Sequence, residues 1–561
     1  MTFNIFCIIV FAHFLCVNCF ITYIEPRVPL QGNRAKPGSP WPMPQIWNSS
    51  SNVLIIDTSE FEIIAAFGDE CDVLQAAMQR YQKIILMRSP KTKHESVNLK
   101  GKRRESLSQV TVVVSEYFSC SYPQQDDDES YKIEVSGEKQ AWIESKTVWG
   151  ALHALETLSQ LIYEDSKTKK LYVNETKIHD WPSYNYRGVM IDTARHYIPV
   201  KVLLNNLEAM AINKMNVFHW HMVDDQSFPF QSTTYPNLSK YGAFSERHVY
   251  SQKDITDIVE FARLRGIRVL PEIDTPGHTK AIGKSYPQLL TACYGNGSAY
   301  SSSYPQFSEA EVLNPTDENV YKFLIALFEE MQKIFPEKYI HLGMDEVNYG
   351  CWQSNPAVRQ FMNEHGFTST NELEQYYVRN LIERVKNIGY KYVMWQDPID
   401  NGVQPARETI VQIWKDSHLD PTFSSWQKHA KDVANKGYKM VVSACWYLNY
   451  ISYPYPGNDW EKFLHCDPRD FDGSEDEKSL VLGGEACLWT EFVDATNLLS
   501  RLWPRASAVA ERLWTNPTQI DEDSTRFRLD QQRCNLVKRG IPAAPILNGF
   551  CGDFDWKLSE R

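Results

Sequence analysis

The chain has 561 residues, of which 43% are hydrophobic and 23% are charged. This hydrophobic content excludes intrinsic disorder, and only 26 glycines exclude a collagen-like repeat. Lys and Arg number 58 against 70 Asp and Glu, and the formal net charge of -12 argues against a nucleic acid partner, because a negative surface repels phosphate.

The first predicted element is an apolar, uncharged run over residues 3–23. Its position and composition predict a secretory signal peptide over residues 1–20, although no Lys or Arg precedes the run. An uncleaved anchor is the alternative, because the run is almost long enough to span a bilayer. No later segment approaches membrane length, so we expect no stable membrane span beyond the leader.

Four sequons support entry into the secretory pathway, with the lysosome or the cell exterior as destination. Their acceptors are Asn48, Asn174, Asn237 and Asn296. Three of the 12 cysteines lie in the leader, and the nine others contain no CxxC pair, which argues against zinc ribbons and thioredoxin-like sites. In an oxidising compartment we expect disulfides and at least one free thiol, but spacing alone does not assign the partners.

A smaller α+β domain is predicted over residues 21–182. The runs VLIID and VTVVVS are typical of strands, whereas residues 72–86 and 148–163 have helical spacing. Residues 91–106 form a charged, apolar-poor loop, which we interpret as a solvated or processed surface segment. No constellation of reactive groups gathers here, which indicates a supporting role.

Eight short apolar runs follow within residues 183–561, and most of them end in a polar or aromatic residue. The runs are YRGVMID (186–192), VFHWHMVDD (217–225), IRVLPEID (267–274), YIHLGMDE (339–346), YVMWQD (392–397), IVQIWKD (410–416), MVVSACWY (440–447) and VLGGEACLW (481–489). Helical stretches separate several of them, at 202–212, 254–265 and 320–334, whereas the interval 397–408 is too short for a full helix. The pattern predicts an α/β fold, a (β/α)8 TIM barrel with a C-terminal helical segment, whose catalytic groups gather at the carboxyl ends of the strands.

Asp345 and Glu346 end the fourth run and are the foremost catalytic candidates. Two carboxylates can act as acid and base when their surroundings separate the two pKa values. Neighbouring strand residues normally face apart, but at a strand end both can lean over the barrel mouth. A solvated acidic turn is the alternative, and the apolar strand with Gly343 before the pair argues against it.

Polar and aromatic residues also follow the other predicted strands. These candidates are Arg195, Asp224, Asp225, Asp274, His278, Trp395, Trp414, Trp446, Tyr447, Trp489 and Glu491. Any one of the Trp residues could belong to the core instead. Four Trp residues at equivalent strand ends nevertheless predict an aromatic-walled pocket, and aromatic planes are suited to the weakly polar faces of sugars.

Six longer motifs carry a resemblance to a known family. They are HLGMDEV, FHWHMVDD, DTPGHT, WYLN, GGEACLWTEFVD and RLWPRASAVAERLW. In order and spacing they resemble the animal lysosomal β-N-acetylhexosaminidases of glycoside hydrolase family 20. The resemblance implies a small α/β domain before a catalytic barrel, retaining removal of terminal GlcNAc or GalNAc from glycoconjugates or chitooligosaccharides, a homodimer, and neither cofactor nor metal.

The resemblance also implies a role for each matching residue. Glu346 would be the general acid/base, an ionised Asp345 would orient and stabilise the substrate's 2-acetamido group, and Tyr447 would donate a hydrogen bond to the acetamido oxygen. The family is an exception among retaining glycosidases because the substrate's own acetamide attacks, through an oxazolinium intermediate. The residues implied to hold the sugar are Arg195, Asp224, His278, Trp395, Trp414, Asn449, Trp489 and Glu491.

The resemblance further implies three disulfides, Cys71–Cys120, Cys293–Cys351 and Cys534–Cys551, and a buried free thiol at Cys487. It leaves the pairing of Cys445 with Cys466 open. Two positions depart from the family pattern. Met344 stands where a small residue is usual and could reshape the strand, and Tyr450 stands where the human alpha-type sequence has Arg, so binding of sulfated or sialylated substrates cannot be carried over.

Two other functions stay open at this point. In a metal-dependent barrel hydrolase, His219 and His221 of the HxH sequence would bind the ion together with Asp225, His278 and Asp345. In a non-enzymatic glycan-binding protein on a glycosidase scaffold, the acidic pair would have lost its function. Met344 is the only sign of such a loss, because both acids are present.

Overall fold

The computed structural model describes residues 35–551, apart from 67–70, 88–105, 117–119, 138–139, 166–167, 295–298, 300–311, 451–458, 517, 519 and 548. The predicted signal peptide, its anchor alternative and the Asn296 sequon lie outside the described residues. So does the predicted loop 91–106, except for Ser106, which lies in a two-residue strand. Among the described residues, no helix combines the length and the apolar character needed to cross a bilayer.

The N-terminal part of the described chain forms one mixed sheet of eight strands. They are β1 (Ile46–Ile56), β2 (Glu62–Ala65), β3 (Ser106–Leu107), β4 (Gln109–Val114), β5 (Tyr131–Val135), β6 (Gln140–Ser145), β7 (Tyr163–Glu164) and β8 (Leu171–Asp180). Their order is β2-β4-β6-β5-β8-β1-β3, with β7 beside β8. Buried and exposed residues alternate along β5 and β6, which is the pattern of a sheet with one covered face.

Two helices cover that face, α1 (Asp72–Leu86) and α2 (Val148–Leu161). Both begin where the spacing predicts, and α2 ends two residues earlier than predicted. Every residue of α2 is buried, because the helix is covered on two sides. One side packs on the sheet, and on the other the His153 ring lies edge-on to Trp514, 5.0 Å away.

The remaining strands close into a parallel barrel of eight. They are β9 (Tyr186–Asp192), β10 (Val217–Val223), β11 (Arg268–Thr275), β12 (Tyr339–Gly343), β13 (Lys391–Trp395), β14 (Ile410–Ile413), β15 (Lys439–Val442) and β16 (Val481–Leu488). The predicted TIM barrel after a smaller α+β domain is confirmed. Each predicted run contains one strand, but most runs continue past its end, because they include the first loop residues.

Helices surround the barrel and continue after its last strand. They are α3 (Val200–Ile212), α4 (Asn237–Gly242), α5 (Gln252–Arg263), α6 (Lys280–Gly283), α7 (Glu318–Met331), α8 (Tyr349–Ser354), α9 (Pro356–His365), α10 (Thr370–Asn387), α11 (Asp397–Asp400), α12 (Trp426–Asn435), α13 (Trp460–His465), α14 (Glu475–Lys478), α15 (Leu498–Leu502), α16 (Arg505–Trp514) and α17 (Glu522–Lys538). Capping boxes at Ser251 and Ser369 start α5 and α10. The interval 397–408 after β13 holds only the four-residue α11, as expected for an interval too short for a full helix.

A buried ion pair joins the sheet to the barrel. Lys214 Nζ lies 3.0 Å from Asp180 Oδ2, and both side chains are fully buried. The Tyr131 hydroxyl donates to the same oxygen at 2.5 Å, and Trp514 Nε1 donates to Asp180 Oδ1 at 2.9 Å. Tyr131 belongs to the sheet, whereas Lys214 and Trp514 belong to the barrel part, so this cluster sets how the two parts pack.

Replacing Lys214 with Met should destabilise the protein by about 3–5 kcal/mol, because it leaves the buried Asp180 carboxylate without its cation. Chemical denaturation followed by fluorescence measures the loss. Lys177→Met is the matched control. Its pair with Glu134 is largely exposed, so we expect about 0–1 kcal/mol. Equal effects of the two substitutions would contradict the structural role of the cluster.

The structure forms four disulfides among the described cysteines. Three are the pairs implied by the family resemblance, Cys71–Cys120, Cys293–Cys351 and Cys534–Cys551. The fourth joins Cys445 to Cys466, the pair that the sequence left open. Cys487 is a buried free thiol.

The three described sequon asparagines differ in accessibility. Asn48 in β1 and Asn237 at the start of α4 are exposed. Asn174 in β8 is partly buried, and its side-chain amide is engaged on both sides. Its nitrogen donates to the Ser50 carbonyl at 2.8 Å, and its oxygen accepts from the Tyr163 hydroxyl at 3.0 Å.

Candidate active site

A cavity of about 140 Å3 opens at the carboxyl ends of the barrel strands. Its lining combines four carboxyl or amide side chains, two cationic groups and five Trp or Tyr rings. The lining residues are Arg195, His278, Asp345, Glu346, Trp395, Trp414, Tyr447, Asn449, Tyr450, Trp489 and Glu491. Of the catalytic and sugar-binding residues implied by the family resemblance, only Asp224 is absent from this lining. The other strand-end candidates Asp225, Asp274 and Trp446 do not line it either, and Trp446, expected as a fourth Trp of the pocket wall, is buried in the main hydrophobic core.

The backbone around the acidic pair explains how two adjacent side chains enter one cavity. Gly343, Met344 and Glu346 all have positive φ angles, of 68°, 75° and 50°. This left-handed path breaks the strand alternation that would make neighbours face apart. Gly343 is required here, because a Cβ at this position would lie 1.7 Å from Asp274 Oδ1. Left-handed non-glycine residues are costly and concentrate at functional sites.

Met344 does not narrow the cavity. Its side chain is fully buried in the main hydrophobic core, and its backbone N–H donates to Asp274 Oδ1 at 3.1 Å. The left-handed turn directs this side chain away from the two acids. The departure from the family pattern therefore changes core packing behind the site and leaves the cavity lining to other residues.

The two acids occupy different depths. The Asp345 side chain is 10% exposed, whereas that of Glu346 is 58% exposed. His278 lies between them, with Nε2 at 3.5 Å from Asp345 Oδ2 and 3.6 Å from Glu346 Oε2. Asp345 is thus placed to meet a group at the base of the cavity, and Glu346 to meet an atom at its mouth.

Different surroundings shift the pKa values of these acids in opposite directions. Burial raises the pKa of Asp345 to about 7, while the His278 cation acts against this rise. A hydrogen bond from His278 lowers the pKa of Glu346 and outweighs its partial burial. Burial and the neighbouring Asp345 raise the pKa of Asp274 well above its usual range. In the empty cavity the two acids therefore differ in pKa, and the deeper one is the weaker acid.

A carboxylate behind the cavity holds His278 as a cation. Asp224 Oδ1 lies 3.2 Å from His278 Nδ1, and its other oxygen is 2.7 Å from Arg195 Nη2. Burial alone would lower the pKa of His278, but Asp224, Asp345 and Asp274 raise it well above its usual value. Asp224 therefore orients two residues of the lining and does not itself face the cavity.

Replacing His278 with Gln should move the alkaline limb of the kcat/KM profile to higher pH. The His278 cation lowers the pKa of Glu346, and a general acid works only while it is protonated. Its removal raises that pKa, so the active protonated form persists to higher pH. Rates on an N-acetylglucosamine disaccharide, whose poor leaving group needs the proton of Glu346, test this across acidic and alkaline pH. His365→Gln in α9 is the control, and a limb that moves to lower pH would contradict the assignment.

Arg195 is held rigidly at one wall. Besides the Asp224 contact, its Nη1 lies 3.2 Å from Asp192 Oδ2, and its guanidinium stands 4.9 Å from the ring centre of Trp489. Asp192 ends β9, so the strand end fixes the position of the cation. A guanidinium anchored on one side leaves its remaining donors for a ligand's hydroxyl groups.

The aromatic walls are tied to carboxylates behind them. Trp395 is buried and donates from Nε1 to Glu272 at 2.9 Å, and Trp414 donates from Nε1 to Asp397 at 2.7 Å. Tyr447 lies nearly parallel to Trp414, with ring centres 6.4 Å apart. These bonds fix the ring planes before any ligand enters.

The rim of the cavity carries polar groups and one exposed ring. Asn449 Oδ1 and, deeper in the cavity, Asp345 Oδ1 are buried atoms without a hydrogen-bond partner in the described part of the chain. Glu491 is exposed at the rim. Tyr450 is 53% exposed and stacks on Tyr447 at 6.3 Å, so an aromatic ring occupies the position of the second departure from the family pattern.

A buried network behind the cavity was missed by sequence reasoning. Glu272 accepts contacts from His221, His219 and His341 at 2.6, 2.9 and 3.0 Å, in addition to Trp395. The other ring nitrogen of His221, Nε2, lies 3.0 Å from Asp224 Oδ2. One carboxylate thus supports the Trp395 wall and, through His221 and Asp224, the cations of the site. Glu272 stands inside the apolar run IRVLPEID, where a charged residue was the available signal.

The same network disfavours the metal-dependent alternative. Both ring nitrogens of His219 contact carboxylates, those of Glu485 and Glu272, and both ring nitrogens of His221 contact Glu272 and Asp224. Burial acts to lower these pKa values, but the carboxylates raise them to about 9 for His219 and about 10 for His221. A protonated imidazole ring has no lone pair for a metal ion.

Comparison with known proteins identifies the family. Residues 184–517 match Glycosyl hydrolase family 20, catalytic domain, and residues 40–161 match the beta-acetyl hexosaminidase like domain. The human beta-hexosaminidase subunit beta is 43% identical over 524 residues, covering 92% of this chain and 90% of the relative. The mouse subunit alpha is 40% identical over 517 residues, covering 91% and 94%.

Solved structures agree with this match. The chitobiase of Flavobacterium johnsoniae superposes with a TM-score of 0.76 at 30% identity, covering 91% of this chain and 74% of that one. A Vibrio harveyi exo beta-N-acetylglucosaminidase in complex with N-acetylglucosamine gives a TM-score of 0.75 at 25% identity, covering 93% and 81%. The resemblance first suggested by six motifs is confirmed. The chain belongs to glycoside hydrolase family 20.

Proposed function

We propose that this chain is a retaining exo-β-N-acetylhexosaminidase, which removes terminal non-reducing GlcNAc or GalNAc from glycoconjugates or chitooligosaccharides. The observation that carries the proposal is the single cavity that contains Asp345, Glu346, Arg195 and a wall of aromatic rings. Its volume of about 140 Å3 suits one sugar residue, which fits exo action. Glu346 lies at the mouth, where the bond to the remainder of the glycan would pass.

In the first chemical step, Glu346 gives its proton to the glycosidic oxygen while the acetamido carbonyl oxygen of the bound sugar attacks C1. The C1–O bond breaks, its electron pair stays on the departing oxygen, and the aglycone leaves as an alcohol. The sugar is left as a cyclic oxazolinium ion, with positive charge in the acetamido group. Asp345 at the base of the cavity stabilises this charge.

In the second step, Glu346, now a carboxylate, takes a proton from a water molecule. The water oxygen bonds to C1 from the face that the aglycone left, and the ring C1–O bond of the oxazolinium opens. The acetamide is restored, and Glu346 is protonated again for the next cycle. Two displacements at C1 give net retention of configuration.

The other lining residues bind and orient the sugar in this proposal. Trp395, Trp414 and Trp489 enclose the acetamide and the sugar face, and Tyr447 donates a hydrogen bond to the acetamido oxygen. Arg195 donates to the 3- and 4-hydroxyls. The residues assigned to the 4- and 6-hydroxyls are Asn449 and Glu491. Asp224 holds Arg195 and His278 in position, and His278 in turn lies between the two acids.

Hydrolysis of 4-methylumbelliferyl N-acetyl-β-glucosaminide at acidic to neutral pH tests the proposal. We expect turnover that is insensitive to chelators, and proton NMR should show the β-anomer of GlcNAc as the first product. A first-formed α-anomer would exclude retention, and chelator-sensitive turnover would favour the metal-dependent alternative. Binding of N-acetylglucosaminides without turnover would favour the glycan-binding alternative.

The assembly and destination are part of the same proposal. We infer a homodimer from membership of the family, and delivery to the lysosome or secretion from the predicted leader and the sequons. Light scattering of the purified protein tests the dimer, and a monomeric mass would contradict it. Immunofluorescence and assay of the medium of expressing animal cells distinguish the two destinations, and retention in the cytosol would contradict both.

A further inference from the structure

The open face of the N-terminal sheet carries a straight row of four side chains. Asn48 in β1 pairs with Lys177 in β8, Lys177 pairs with Glu134 in β5, and Glu134 pairs with Trp142 in β6. Directly paired residues of neighbouring strands point to the same face of a sheet. Asn48 and Trp142 therefore stand on one face at the two ends of the row, separated by three strand spacings or about 14 Å.

This face is opposite the one covered by α1 and α2. Residues of β5 and β6 that point towards the helices are buried, whereas Trp142 is 42% exposed and Ile46 is 46% exposed. Asn48, Ile46 and Trp142 line one shallow groove of about 460 Å3. Trp142 and Ile46 are thus two exposed apolar side chains at opposite ends of the groove, on β6 and β1.

The groove between the two ends of the row is polar. Lys177 Nζ pairs with Glu134 Oε1 at 2.7 Å, and Lys132, Glu144 and His179 also line the groove. A floor with charged donors and acceptors and one flat aromatic ring matches a carbohydrate better than an apolar peptide, because sugars present hydroxyls at their edges and C–H groups on their faces.

We propose that an N-linked glycan on Asn48 lies along this row and stacks on Trp142. Asn48 is the acceptor of the sequon Asn48-Ser49-Ser50, and its exposed side-chain amide has no hydrogen-bond partner among the described residues. Asn174, whose amide bonds to Ser50 and Tyr163, is less free to react. The inner sugars of the glycan span the row, and the ring that reaches Trp142 packs its C–H face on the indole.

Attachment uses a lipid-linked oligosaccharide pyrophosphate as donor. The bond from the sugar C1 to the phosphate oxygen breaks, and the lipid pyrophosphate leaves with the electron pair. A new bond forms between C1 and Asn48 Nδ2, which loses one proton. The glycan then serves as a covalently tethered cover for the open sheet face. The proposal is independent of the hydrolytic site, because the groove and the catalytic cavity share no lining residue.

Peptide mapping combined with hydroxyl-radical footprinting tests the proposal on protein secreted from animal cells. Mass spectrometry of the β1 peptide measures glycan occupancy, and oxidation of the β6 peptide measures access to Trp142. Asn48→Gln removes the acceptor, and Ser50→Ala removes the sequon while keeping Asn48. Ser50→Thr keeps the sequon and is the matched control. Asn237→Gln removes a sequon at another site.

We expect an occupied Asn48 and several-fold faster oxidation of Trp142 in Asn48→Gln and Ser50→Ala than in wild type. Ser50→Thr and Asn237→Gln should oxidise at the wild-type rate, as should Trp181 in all variants. Activity should be unchanged, because none of these residues lines the catalytic cavity. An unoccupied Asn48, or equal oxidation with and without the glycan, would overturn the proposal. So would protection of Trp142 that depends on protein concentration, since it would indicate a second copy of the chain.

Discussion

The Glu346→Gln variant should lose about 10²–10⁴-fold in kcat on an N-acetylglucosamine disaccharide, which is the range of general acid–base catalysis. A sugar alkoxide is a poor leaving group, and glutamine has no acidic proton to give it. KM should change little, because the aromatic rings of the cavity and the Arg195 guanidinium, held by Asp192 and Asp224, remain in place. Glu346 is largely exposed, so the substitution should leave the thermal midpoint unchanged.

Substrates with different leaving groups distinguish the two roles of Glu346, as general acid in the first step and as general base in the second. With an aryl aglycone the first step needs little protonation, so kcat/KM for this substrate should fall much less than for the disaccharide. The second step still lacks a base to activate water, and the oxazolinium intermediate should accumulate. Azide needs no general base, so added azide should raise the rate and give the β-glycosyl azide, a product detectable by mass spectrometry.

Glu491→Gln is the matched control, because it makes the same change in another carboxylate of the same cavity. A residue that binds hydroxyl groups should raise KM and leave the alkaline limb and the azide response unchanged. Equal losses on both classes of substrate in Glu346→Gln, together with no azide response, would show that Glu346 acts in binding and not in proton transfer.

The barrel could be predicted because each of its strands leaves a signal within a few consecutive residues. Parallel strands buried on both faces appear as short apolar runs, and all eight runs contain a strand. The polar residues by which most runs extend past their strands, such as Asp345 after Gly343, belong to the loops at the barrel mouth. Run length therefore overestimated the strands, but it did so at the end where the functional residues lie.

Other features depend on contacts that sequence spacing does not encode. Cys445, just after β15, and Cys466, just after α13, form a disulfide that neither local sequence pattern indicates. The effect of Met344 depended on a φ angle, because the left-handed turn sends its side chain into the core. Glu272 was hidden because its partners come from different strands, and a buried carboxylate is recognisable only when its donors are known.

The largest effect on the assisted step should come from Asp345→Asn, with kcat lower by about 10²–10³-fold, comparable with the removal of one oriented group that stabilises transition-state charge. Burial raises the pKa of Asp345 to about 7, so the empty cavity disfavours its carboxylate. The cationic oxazolinium acts in the opposite direction, because it stabilises the carboxylate and lowers that pKa. Asparagine is neutral and cannot respond to the developing charge.

Substrates with fluorinated acetamides connect this loss to the reacting atom. Fluorine withdraws electrons from the carbonyl oxygen, so wild-type kcat should fall with each fluorine if that oxygen attacks C1. Asp225→Asn is the control, because Asp225 is a neighbouring acid outside the cavity lining and should keep the wild-type rate and fluorine dependence. Full activity of Asp345→Asn, or a wild-type rate indifferent to fluorine, would mean that the acetamide is not the nucleophile. If only the fluorine dependence were missing, the buried carboxylate would have to attack C1 itself, because its replacement by asparagine would still abolish turnover.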